Sequence, residues 1–157
     1  MNKRGGSLLK DLIDKTAIIK DDESEDWESA VRKASIPLIK NKKILPDYPE
    51  NIIKGAKLHG PYFVVAPGIA IPHARPEEGA LEKALGISIL EKPVSFLDSP
   101  NNPVKYLFTL SMTSSQGHLE ALAQLVDLLE KKEFLDCLDK AKNSETIYKF
   151  ITEWSRE

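Results

Sequence analysis

Three histidines, His59, His73 and His118, and one cysteine, Cys137, are the side chains best suited to nucleophilic or ligand chemistry near neutral pH. His73 has the most distinctive setting, Pro67-Gly68-Ile69-Ala70-Ile71-Pro72-His73-Ala74-Arg75-Pro76. A strand of buried character runs into Pro72, whose ring fixes its own backbone angle and removes an amide hydrogen. Pairing therefore stops there, and His73 leaves the sheet edge at a defined angle. Ala74 adds little bulk beside the ring, and Pro76 keeps the next segment from turning helical at once. A histidine after a strand is more often packed or solvated than reactive, but a second one changes the balance. His118 sits in Ser114-Ser115-Gln116-Gly117-His118-Leu119-Glu120, in the first turn of a helix that carries Leu122, Leu125 and Leu129. Free amide hydrogens and the helix dipole favour phosphate there. Ser114 and Ser115 are accordingly candidate phosphate-binding residues, and Ser114, Ser115 or Gly117 can serve as the cap. On a helical wheel His118 lies at the edge of the apolar stripe, facing the sheet and within reach of His73. The chemistry suggested is phosphoryl transfer: a neutral imidazole nitrogen attacks phosphorus while donors at the helix start stabilise the phosphoryl oxygens.

The other groups give weaker signals. His59 falls in Leu58-His59-Gly60-Pro61 and reads as a solvated turn residue. Three histidines and a water would suit a catalytic zinc and a zinc-dependent hydrolase, but no His-Glu-x-x-His or other close pair is present. No metal and no cofactor are expected. Cys137, beside Phe134, Leu135 and Leu138, reads as a small buried apolar residue; with only Lys140 near it in sequence, nothing lowers its pKa enough for a transfer nucleophile.

The segment Gly60-Pro61-Tyr62-Phe63-Val64-Val65-Ala66-Pro67-Gly68-Ile69-Ala70-Ile71-Pro72-His73-Ala74-Arg75-Pro76-Glu77-Glu78-Gly79 resembles the active-site signature of enzyme IIA of the bacterial phosphoenolpyruvate-dependent sugar phosphotransferase system. Within that family it is similar to the mannitol, fructose and ascorbate class, and most of all to the ascorbate branch. The resemblance implies a phosphotransferase in which His73 accepts a phosphoryl group from the phosphocarrier HPr and passes it to a cysteine of the cognate enzyme IIB. It makes His118 the second active-site histidine. It also implies an α/β sandwich and uptake of ascorbate or a related sugar or sugar alcohol. Some relatives carry an arginine sixteen residues before the phosphorylated histidine, and that offset here falls on Lys57. Lys57 or Arg75 then serves as the basic partner, or neither does. A regulatory module that signals through phosphorylated His73 without feeding a transporter is the second reading. A homodimer is left open.

The elements around these residues must bring positions 73 and 118 together. Leu8, Leu9, Leu12 and Ile13 share one helical face, and residues 17–19 read as a short strand. Trp27, Ala30, Val31, Ala34 and Leu38 predict a helix over residues 26–39, with Pro37 as its end or a bend, capped by Ser24 or Asp26 from the acidic run before it. A second helix runs from Pro46 to Lys57. Strands are expected at 62–66, 68–71, 84–90, 94–97 and 104–110. Helices follow at 134–141 and 146–154, after one whose stripe is Leu119, Leu122, Val126 and Leu129. This order predicts an α/β fold, a single mixed sheet with helices on both faces, in one domain over residues 1–157.

Composition agrees with that scale. The chain has 157 residues, 41% hydrophobic and 29% charged, enough to bury a core without staples. With 22 basic against 24 acidic side chains the net charge is −2, which offers no attraction to nucleic acid or anionic lipid. Residues 62–72 form the longest apolar run, broken by prolines and far short of the roughly 20 residues a spanning helix needs. Residues 1–7 have basic character without an apolar core behind them, so no export signal is expected, and the single cysteine fits the cytoplasm.

Overall fold

The computed structural model describes residues 6–154, so part of the segment read for an export signal lies outside it. The elements are α1 (Gly6–Leu12), β1 (Ile13–Asp21), α2 (Trp27–Lys40), α3 (Asp47–His59), β2 (Val64–Ala66), β3 (Ile69–Ala70), a single 3-10 turn (Pro76–Glu78), β4 (Ala84–Val94), β5 (Val104–Ser111), α4 (Ser115–Leu129), α5 (Lys132–Lys140) and α6 (Ser144–Trp154). The five strands form one mixed sheet in the order β1-β4-β5-β3-β2. Parallel pairs (β1 with β4, β3 with β5) alternate with antiparallel ones (β4 with β5, β2 with β3).

Side chains alternate across the pleat and so feed two cores. On one face Leu85, Ile87 and Ile89 of β4 and Tyr106, Phe108 and Leu110 of β5 pack beneath α1, α4, α5 and α6. On the other, Ala84, Leu90 and Leu107 meet Ala34 and Leu38 of α2 and Ile52 and Ala56 of α3. Small residues let strand and helix close up on this second face: a Cβ on Gly86 would lie 3.1 Å from the Cβ of Ala17 and 3.6 Å from Leu38 Cδ1.

Local chemistry explains the element ends and the departures from expectation. Asp26 is the cap of α2, its carboxylate accepting the Ser29 amide at 2.8 Å, and these bonds hold its pKa below the usual range. Ser24 instead donates its hydroxyl to Asp21 at 2.6 Å. Pro37 neither ends nor breaks α2, which runs on to Lys40. It falls in the last turn, where its missing amide removes one helical bond while its carbonyl still accepts from Asn41 at 3.0 Å. The strand expected at 84–90 is longer and the one expected at 94–97 is not formed: β4 continues to Val94, where a register shift after Ile89 absorbs Glu91, Lys92 and Pro93, and Ser95, Phe96 and Leu97 leave the sheet, Leu97 at φ 53. The stripe expected on α4 is also turned. Ala121, Leu125 and Leu128 are buried, whereas Leu119 is 65% and Val126 43% exposed. That helix is apolar on two adjacent faces, and periodicity does not say which one meets the sheet.

Candidate active site

Because β3 and β5 are parallel neighbours, their carboxyl ends lie side by side. The pairs Ile69 with Tyr106 and Ala70 with Leu107 set the register. One strand leads directly to His73 and the other to the start of α4. The last ladder bond between these chains is Leu110 N–H to Pro72 C=O at 3.0 Å. One step further on, the phenol of Tyr48 enters from α3. It donates to the Leu110 carbonyl at 2.7 Å and accepts the Ala74 amide at 3.1 Å, replacing a strand-to-strand bond. Tyr48 is fully buried, and burial pushes its pKa up to about 12, so it stays a neutral donor. Its backbone is seated against Gly79, at φ 123, where a Cβ would come within 3.2 Å of Tyr48 Cβ. Asn51 adds a bond to the Glu78 carbonyl at 2.8 Å, so α3 fixes the path of the chain on both sides of residues 75–77.

The His73 ring sits in an aromatic corner. Tyr62 stands edge-on at 5.3 Å between centroids, and its hydroxyl donates to the His73 carbonyl at 2.8 Å. Within the residue's own segment, Nδ1 lies 2.8 Å from the Ile71 carbonyl. A carbonyl can only accept, so Nδ1 carries the hydrogen and the lone pair of the neutral ring is on Nε2. His118 meets this ring at 4.6 Å between centroids, inclined at 53°. Burial lowers the pKa of both imidazoles, that of His118 further through the charge of His73, while the Ile71 bond partly opposes the shift at His73.

Ser114 is the N-cap of α4: its hydroxyl accepts the Gly117 amide at 3.1 Å and its carbonyl the His118 amide at 3.0 Å. The amides of Ser115 and Gln116 then have no acceptor within the helix. A depression of about 650 Å³ opens at this helix start, and His73, His118, Ser115, Tyr62, Lys54 and His59 line it. Leu58, 72% exposed, adds an apolar edge. Ser114 does not line it. Among the described residues no three His, Cys, Asp or Glu side chains are grouped to hold a metal ion. Cys137 is half-buried on α5, and burial raises its pKa.

Residues 11–154 match the family model described as the phosphoenolpyruvate-dependent sugar phosphotransferase system, EIIA 2. The chain belongs to this family. It is 33% identical to the ascorbate-specific PTS system EIIA component of Escherichia coli K12, over 92% of this chain and 94% of that protein. Against the counterpart of the same name from Shigella flexneri the identity is 35%, over 82% and 84%. Among solved structures it superposes on the mannitol-specific cryptic phosphotransferase enzyme IIA CmtB from Escherichia coli with a TM-score of 0.82 and 31% identity, covering 92% of this chain and 98% of that one. As an enzyme IIA it is a phosphotransferase, and the family works through a phosphohistidine.

In this enzyme IIA the two histidines singled out in the sequence share one depression. His59 is the last residue of α3 rather than a turn residue, exposed on the same depression. Lys57 does not line the depression: its Nζ is 3.0 Å from Glu28, and it lines a neighbouring groove with Arg32 and Glu50 that Lys54 and Leu58 border as well. Arg75 lines the depression but lies 3.5 Å from both Glu77 and Glu78. Sequence reasoning missed Tyr48, Tyr62 and Lys54. Tyr62 was visible within the signature segment, whereas the stripe of Tyr48, Ile52 and Ala56 marks a buried face without revealing that the phenol ends at the His73 segment.

Proposed function

We propose that the chain, as one enzyme IIA domain over residues 1–157, carries a phosphoryl group on Nε2 of His73 between the phosphocarrier HPr and a cysteine of its cognate enzyme IIB, in the cytoplasm. The observation that carries this reading is the Nδ1 hydrogen bond to the Ile71 carbonyl, which leaves Nε2 as the nucleophilic nitrogen of a ring lining an open depression. The donor's P–N bond breaks and its electron pair returns to the donor imidazole as a new P–N bond forms at Nε2. A thiolate of enzyme IIB then attacks the same phosphorus, an S–P bond forms, and Nε2 recovers its lone pair. Charge on the three equatorial oxygens meets the free amide of Ser115 and a ring N–H of His118. Ser114 acts one step back, by ordering that turn through its cap. Relatives named as ascorbate-specific support ascorbate, or a sugar or sugar alcohol related to it, as the cargo of the transporter.

The test is incorporation of labelled phosphate from phosphoenolpyruvate through enzyme I and HPr. Wild type takes up label, His73→Ala takes up none, and His118→Ala retains acceptance but transfers slowly to enzyme IIB. Equal labelling of wild type and His73→Ala would overturn the reading. Label that accumulates on His73 but passes to no enzyme IIB would point to a signalling module instead.

A further inference from the structure

Phosphorylating His73 places roughly two negative charges in a depression where two imidazoles are held neutral by burial. Three cations, Lys54, Lys57 and Arg75, lie near the site along the chain, and their partners set them apart. On the outer side of α2 and α3, Arg32 is 2.9 Å from Glu50 and 3.8 Å from Glu28, and Lys57 is 3.0 Å from Glu28. Two cations and two carboxylates close that network at zero net charge. Arg75 stands between two carboxylates, Glu77 and Glu78, and its guanidinium is already overmatched. Lys54 differs from both. Among the described residues its ammonium has no carboxylate within ion-pair distance, and its side chain is exposed.

Its position is also favourable. Asn51, Lys54, Gly55 and Leu58 recur at the spacing of one helical face, and all four line the depression with His73. Gly55 brings that wall close: a Cβ there would lie 3.4 Å from the Tyr62 hydroxyl, which itself bonds the His73 carbonyl. A four-carbon stem rooted on this wall gives an ammonium the reach to meet a group carried by the ring.

Resting on the reading of His73 as the phosphoryl carrier, we infer that Lys54, and neither Lys57 nor Arg75, is the cation that pairs with the phosphoryl oxygens on His73. A lysine suits the task, because a compact point charge on a flexible stem can meet the group in both the incoming and the outgoing complex. Its role is electrostatic and does not fix the geometry of the ring.

Single-turnover transfer from saturating phospho-HPr tests this. Lys54→Gln should slow the saturated rate about tenfold, less than the loss of a buried oxyanion donor because the site is open to water. KM should change little, the melting temperature should stay at the wild-type value, and Lys54→Arg should restore most of the rate. Lys57→Gln should transfer at the wild-type rate. A wild-type saturated rate in Lys54→Gln, a loss confined to KM, or the same loss in Lys57→Gln would overturn the assignment while leaving His73 as the carrier. Failure of His73 itself to take label would instead remove the reading on which the assignment rests.

Discussion

His73 and His118 are half-buried titratable groups, and their environment sets when they are usable. Burial lowers the pKa of each, and every ring already carrying a proton is lost as a nucleophile. The sign follows directly: a depressed value keeps His73 neutral at pH values where an ordinary histidine, near 6.5, is half protonated. Acceptance of label from pre-phosphorylated HPr should therefore hold its rate down to about pH 6.5 and fall only below it. A midpoint of the acid limb at or above the ordinary value would contradict this. Phosphorylation adds negative charge beside His118, whose neutral ring still carries one N–H to donate to the phosphoryl oxygens. Both histidines could be singled out in the sequence because residue type and a helix start are local properties. The tautomer of His73 was not, since it depends on where the Ile71 carbonyl points.

At the scale of elements, α3 is the frame of the site. Its buried side sends the Tyr48 phenol between the Leu110 carbonyl and the Ala74 amide, and its flank toward His73 presents Lys54 and Leu58 to the depression. Tyr48→Phe removes the hydroxyl and leaves both backbone groups buried without a partner, a loss of about 1–3 kcal/mol. Urea unfolding should show that loss, and transfer at saturating donor should slow while KM stays constant, because the docking surface is untouched. Wild-type turnover in a destabilised Tyr48→Phe protein would show that the phenol supports the fold alone. The helices and most strands followed from periodicity, but three details did not. Pro37 stays inside α2, since a last turn gives up only one bond. β4 continues through Glu91-Lys92-Pro93, whose polar pattern reads as a turn when the shifted partner strand is unseen. The buried face of α4 is the one with Ala121, where close approach to the sheet favours a small side chain.

Across the whole molecule, one sheet separates two cores, and the site sits where two of its strands end. Phe108, fully buried on β5 with its ring 6.1 Å from that of Phe134, ties the sheet to the helices on the α4 side. Phe108→Ala should cost about 3–5 kcal/mol, read as a lower urea midpoint, through lost burial and the cavity left behind. No helix among the described residues is long and apolar enough to cross a membrane. By itself the sequence determined the class of fold and the phosphotransferase family and singled out the two imidazoles as candidates, because these rest on residue type, short-range spacing and a contiguous signature around His73. Only the tertiary structure decided which side chains surround that ring. The parallel pairing of β3 with β5 joins positions 73 and 118. The packing of α3 brings Tyr48 and Lys54 to the site and turns Lys57 away toward Glu28. Such contacts depend on how helices seat on a sheet, a global minimisation of exposed apolar surface that no local run of residues encodes.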